Sequence, residues 1–134
     1  MSNAGDIHAI DVLLVEDSTF QANLMRRILN VVGVHEVVVA ENGNEALDLL
    51  KAEPSRYGVV ICDLMMPGMT GYELVSAIRR CEAPGAEEVP IIIVTGAHGE
   101  EENHRARLRD VQGFIRKPPT MQAVHDALKA VFAT

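Results

Sequence analysis

Four places in the chain set chemically capable side chains directly after short apolar runs. Glu16 and Asp17 follow DVLLV, Asp63 follows VVIC, Thr95 closes IIIVT with Gly96 behind it, and Arg116, Lys117 and Pro118 follow GFI. If these runs lie side by side, three carboxylates, a hydroxyl and an ammonium meet in one shallow pocket. Two unit negative charges roughly 4 Å apart repel by ~4 kcal/mol at an effective dielectric of about 20, so such a trio must share protons or hold a cation. Ligands that are all oxygen favour a hard ion. Mg²⁺ suits the set best, because it takes a few carboxylates and keeps waters that a phosphate oxygen can replace. The pattern therefore points to a phosphoryl site.

That chemistry depends on the elements that bring the clusters together. DVLLV (11–15), EVVVA (36–40), VVIC (59–62), IIIVT (91–95) and GFI (113–115) are strand-length and mostly β-branched. Segments with helical spacing alternate with them. The first carries Leu24, Met25, Ile28, Leu29 and Val32, the next Ala46, Leu47 and Leu50, and the third Leu74, Val75 and Ile78. The last has Val124, Leu128, Val131 and Phe132 behind Thr120, a side chain suited to an N-cap just past Pro118 and Pro119. A further helix is expected around EEENHRARLRD, between the fourth and fifth strands, with only Ala106, Leu108 and Val111 to bury. PGAEEVP ahead of the fourth strand reads as a plain surface loop.

Strictly alternating strands and helices, with strands apolar on both faces, predict an α/β fold in which helices cover both sides of a parallel sheet. Crossovers are expected to be right-handed. In such sheets ligands bind beyond the carboxyl ends of the strands, where the strand order reverses. The residues just after each run are thus the functional candidates.

The chain has 134 residues, 48% of them hydrophobic, enough for one core. Residues 1–10 are expected to be an N-terminal extension, in part a cloning remnant, and residues 11–134 the domain. A formal charge of -7, from 19 acidic against 12 basic side chains, argues against gripping nucleic acid or anionic lipid. The apolar runs are too short to span a bilayer and no signal peptide opens the chain, so a cytoplasmic location is expected. Cys62 and Cys81 form no CxxC and are too few for a disulfide scaffold. The five histidines show no metal-ligand spacing.

Taken in order, the motifs resemble the receiver domain of two-component response regulators, of the chemotaxis-regulator type, over almost the whole chain. Those domains have an acidic pair after the first strand, here Glu16 and Asp17, and a phosphoacceptor aspartate ending the third, here Asp63 in DLMMPGMTG. A Ser or Thr ends the fourth strand, here Thr95, and a Lys-Pro follows the fifth, here Lys117 and Pro118. The resemblance implies a three-layer, doubly wound, flavodoxin-like sheet of five parallel strands in the order 2-1-3-4-5. It implies Mg²⁺ held by Glu16, Asp17, Asp63 and the Met65 backbone carbonyl, and phosphate held by Thr95, Gly96 and Lys117. It implies a cis peptide between Lys117 and Pro118, and a switch in which Thr95 and Phe114 move together. The expected donor is a sensor histidine kinase or phosphotransfer protein. Output is expected through the face built from the fourth expected helix, the fifth strand and the last helix.

Two positions depart from what often flanks the phosphate in this family: Met65, two residues after Asp63, and Ala97, two after Thr95. Neither can orient water, so hydrolysis of an Asp63 phosphate is expected to be slow. Three rival readings exist. A phosphatase of the haloacid dehalogenase type carries a second Asp two residues after its nucleophile, where Met65 stands. A flavin-binding relative lacks its phosphate loop here. A passive, unphosphorylated interaction module does not explain the intact acidic set. A stand-alone regulator and a piece of a hybrid kinase or larger regulator are equally compatible with the sequence.

Overall fold

The computed structural model describes residues 6–96 and 110–132. A 3₁₀ turn at Ile7–Ala9 leads into β1 (Asp11–Val15), α1 (Thr19–Val32), β2 (Glu36–Ala40), α2 (Gly43–Ala52), β3 (Tyr57–Asp63), α3 (Gly71–Arg79), β4 (Ile91–Thr95), β5 (Gly113–Arg116) and α4 (Met121–Phe132). The helix expected between β4 and β5, together with Ala97, lies outside the described residues. The sheet is parallel throughout, in the order β2-β1-β3-β4-β5. This is the expected doubly wound arrangement, and the order reverses between β1 and β3.

Alternation along the strands divides the core in two. Leu13, Val15, Val60, Cys62, Ile91 and Ile93 face α2 and α3, whereas Val12, Leu14, Val59, Ile61, Ile92 and Val94 face α1 and α4. The three inner strands are buried on both faces, which explains their unbroken apolar runs. On α1 the buried line is Ala22, Met25 and Leu29. Leu24, expected on that face, falls at its edge and is partly open to solvent.

Caps end the helices where the sequence supplies them. Ser18, Asn42, Thr70 and Thr120 each accept a backbone N–H with a side-chain oxygen, and Thr70 and Glu73 form a reciprocal capping box. Gly33 closes α1 in the left-handed conformation, φ 103°. His8 is docked there, its Nδ1 2.7 Å from the Gly33 carbonyl oxygen, and Ile10 is buried, so the stretch read as an extension packs on the domain from Asp6 onward.

The loop ahead of β4 is more than a surface loop: Ala83, Ala86 and Val89 are buried against the α2 and α3 side of the core. Arg79 explains how its backbone tolerates this. The guanidinium donates to the carbonyls of Glu87, Val89 and Asp110 and to the Gln112 side chain. One side chain thereby ties together the segments on both sides of β4 and gives partners to the part-buried carbonyls of Glu87 and Val89.

The end of α3 is closed by Cys81 at φ 65°, with Cys81 N–H on the Ile78 carbonyl and Glu82 N–H on the Ala77 carbonyl. This pair of bonds is the Schellman pattern, in which glycine avoids the clash that a Cβ meets at positive φ. Cys81→Gly is expected to stabilise the fold by about 1 kcal/mol, read as a higher midpoint in urea or thermal unfolding.

Candidate functional site

Register builds the site. Val15 pairs with Cys62, Asp63 with Val94, and Thr95 with Arg116. Each next residue leaves the apolar sheet at its carboxyl edge, so Glu16, Asp63, Thr95 and Lys117 emerge side by side. Glu16, Asp17 and Asp63 each present a carboxylate oxygen within 4.8 Å of the others. Glu16 and Asp63 are buried and Asp17 is exposed.

Asp63 is held from two directions. Lys117 Nζ lies 2.8 Å from its Oδ2, and the Met65 N–H donates to its Oδ1 at 3.1 Å. Its position rests on a close approach by α3: a Cβ added to Gly71 would lie 2.8 Å from Leu64 Cα and 3.0 Å from the Asp63 carbonyl oxygen. Only glycine allows the Gly71 N–H to reach the Leu64 carbonyl there, at 2.9 Å. Gly68, at φ 79°, supplies the turn between them.

Glu16 is the strained member of the trio. Burial pushes its carboxyl up to about 7, the Ser18 N–H opposes this, and the Asp63 charge adds to it. A carboxyl held that high beside two others is the electrostatic mark of a site suited to a cation. Cys62, directly beneath, is no rival ligand or nucleophile, because burial drives its thiol well above the usual range and keeps it neutral.

Thr95 is buried at the end of β4, and its carbonyl accepts the Lys117 N–H at 2.8 Å. The Lys117–Pro118 peptide is cis. Gly96 is exposed, and among the described residues a Cβ there would meet only the Lys117 stem at an ordinary 3.5 Å. Packing against the described residues therefore does not require glycine at that position. Phe114 is partly buried and packs on the α2 and α3 side of the core. Met65 is 72% exposed at the rim.

Two features were not legible beforehand. Ser18 caps α1 and steers the Glu16 carboxylate at once, for which a Ser directly after the acidic pair was the available signal. A groove of about 310 Å³ opens beside the pocket, walled by Phe20, Leu24, Val94, Pro118 and Pro119 and sharing Glu16 and Lys117 with it. Among the described residues a second acidic grouping, Asp11, His35 and Glu36, sits at the far edge of the sheet. The Arg56 guanidinium is already bonded to Asp11 and Glu36, which leaves no deficit for a metal to fill.

Comparison with known proteins agrees with this geometry. Residues 12–129 match the family model of the response regulator receiver domain. The chain is 37% identical over 124 residues to a chemotaxis protein CheY homolog of Campylobacter jejuni, covering 92% of each. It superposes on the Vibrio cholerae chemotaxis protein CheY4 with a TM-score of 0.76 at 31% identity, covering 92% of this chain and 98% of that one. The fold also matches the receiver domain of a Pseudomonas aeruginosa sensor histidine kinase, whose active-site cleft coordinates magnesium, with a TM-score of 0.78 at 23% identity, over 94% and 99% of the two chains. With strand order, carboxylate trio and family model in agreement, the chain belongs to the response regulator receiver domains, the CheY-like phosphoacceptor modules of two-component signalling.

Proposed function

We propose that Asp63 is the phosphoacceptor of this receiver domain and that the protein is a signalling module, assisting only its own phosphorylation and dephosphorylation. The observation that carries the reading is the convergence of three carboxylates at the edge of β1 and β3 with Lys117 bonded to one of them. A carboxylate oxygen of Asp63 attacks the phosphorus of a phosphohistidine on a sensor kinase or phosphotransfer protein. The P–N bond breaks, the imidazole leaves, and an acyl phosphate forms.

Lys117 and the Met65 N–H already fix the two Asp63 oxygens, so the nucleophile is oriented before the donor arrives. Glu16, Asp17, Asp63 and the Met65 carbonyl are the residues that would hold Mg²⁺, which when bound neutralises charge on the transferring group. The Thr95 hydroxyl and Gly96 N–H would donate to the phosphate. The space above Gly96, where a Cβ would meet only Lys117 among the described residues, leaves it room. Phosphate adds about -1.5 to -2 charges at one point. Thr95 and Phe114 would carry that change to the output face formed by β5, α4 and the segment ahead of β5. No helix among the described residues is long and apolar enough to cross a membrane. A cytoplasmic phosphorelay component fits this and the acidic surface.

The groove beside the pocket suits the donor protein. Phe20 is 78% exposed, and the groove shares Glu16 and Lys117 with the phosphorylation site, so a body presenting a phosphohistidine to Asp63 covers it on the way in.

A small phosphodonor with Mg²⁺ is expected to give an adduct of about 80 Da, one phosphoryl group, that is absent in Asp63→Asn and after chelation. Multiple turnover of phosphate esters would instead favour a phosphatase, and no adduct a passive module. Phe20→Ala is expected to slow transfer from a phosphohistidine protein by roughly tenfold, about 1.4 kcal/mol, while labelling by the small donor stays unchanged. With Met65 unable to order water, the acyl phosphate should persist for minutes or longer; decay of the purified phosphoprotein within seconds contradicts this.

A further inference from the structure

We propose that Met65 is an oxidation site whose sulfoxide shortens the life of the phosphorylated state; the inference rests on Asp63 being the phosphoacceptor. Met65 combines two properties that no other described methionine shares. Its N–H touches the Asp63 carboxylate, and its side chain is 72% exposed. Met25 and Met66 are buried, Met69 is packed against Gly43, and Met121, 52% exposed, lies on α4. Susceptibility of a thioether to peroxide follows exposure, so Met65 is the first of these to react.

The step is balanced with a peroxide as co-reactant. The sulfur lone pair takes the terminal oxygen, the O–O bond breaks, S=O forms, and water is released from hydrogen peroxide. The sulfur is oxidised by two electrons and the peroxide reduced.

Oxidation replaces a poor hydrogen-bond acceptor with a strong one two residues past Asp63, where the Met65 thioether cannot hold a water. Met65 is unbranched with three rotatable bonds, and its backbone is already fixed to Asp63, so the new oxygen can sweep the solvent above the acyl phosphate. A water bonded to that oxygen is oriented for attack on phosphorus. The phosphorus–oxygen bond to Asp63 then breaks, the carboxylate is restored and inorganic phosphate leaves. Sulfoxide reduction by methionine sulfoxide reductases returns the slow state. The consequence is a signal whose duration reports peroxide.

The test begins with the full chain labelled by a small phosphodonor and Mg²⁺, then freed of donor. Decay of the acyl phosphate is followed with and without hydrogen peroxide, and peptide mass locates the added oxygen. The expected result is oxidation at Met65 and a half-life shortened roughly three- to tenfold, a modest part of what a positioned acid or base contributes. In Met65→Leu, peroxide should leave that variant's own decay rate unaltered, although Met69, Met121 and Cys81 remain. Met65→Gln should decay faster than the unoxidised parent with no peroxide present. An unchanged half-life in protein oxidised at Met65 overturns the proposal, as does acceleration that persists in Met65→Leu or a Met65 that stays reduced while buried methionines react. Failure to label the parent at all overturns the phosphoacceptor reading itself.

Discussion

Mutual repulsion of like charges at the edge of an apolar sheet is the constraint on which the rest of this structure turns. Asp63 and Glu16 are buried beside each other and Asp17 stands within reach of both. The fold meets the difficulty in two ways: Lys117 is bonded to Asp63, and the Glu16 carboxyl is pushed up to about 7 by burial and its neighbour. Neither removes the electrostatic deficit. A divalent cation held by the three carboxylates would, and it would supply the positive charge that the proposed phosphoryl transfer calls for.

Holding such a site requires stiffness below it and freedom above it. Stiffness comes from three inner strands buried on both faces, from Gly71, whose missing Cβ lets α3 lean on the end of β3, and from Arg79. Arg79 ties the end of α3 to the loops on either side of β4 through carbonyl groups that have no strand partner. Exposure is concentrated at the rim, where Met65 stands two residues past Asp63 and Gly96 and Phe20 lie beside Lys117. On the proposed function, chemistry and timing would then be set by different residues. The buried charges would govern whether phosphate is accepted, and the exposed rim what meets it afterwards.

Much of this was legible in the sequence, and for identifiable reasons. Runs such as VVIC and IIIV are apolar without alternation because their strands are covered on both faces, and that is visible in one dimension. Thr120 as a cap, the five strands and the residues at their ends follow from the same local rules. Less legible were features created by neighbours distant in the chain. PGAEEVP has the composition of a surface loop, yet Ala86 and Val89 are buried, with Arg79 bonded to the Glu87 and Val89 carbonyls. Leu24 matches helical spacing but lies at the edge of the buried face, because the line that meets the sheet runs through Ala22, Met25 and Leu29. The Phe20 groove is of the same kind, because it forms only where α1 meets the Lys117–Pro119 segment; Ser18 is not, since its bonds to Glu16 and Gln21 are local.

By itself the sequence determined which residues could do chemistry and that each follows a strand, since residue type and apolar period are local properties. Only tertiary structure decided that they meet. Parallel register sets Val15 beside Cys62 and Thr95 beside Arg116, and so brings residues 16, 63, 95 and 117 to one edge. The physical reason is that register belongs to pairs of strands held by hydrogen bonds and two packed cores, a relation that no single segment of the chain contains.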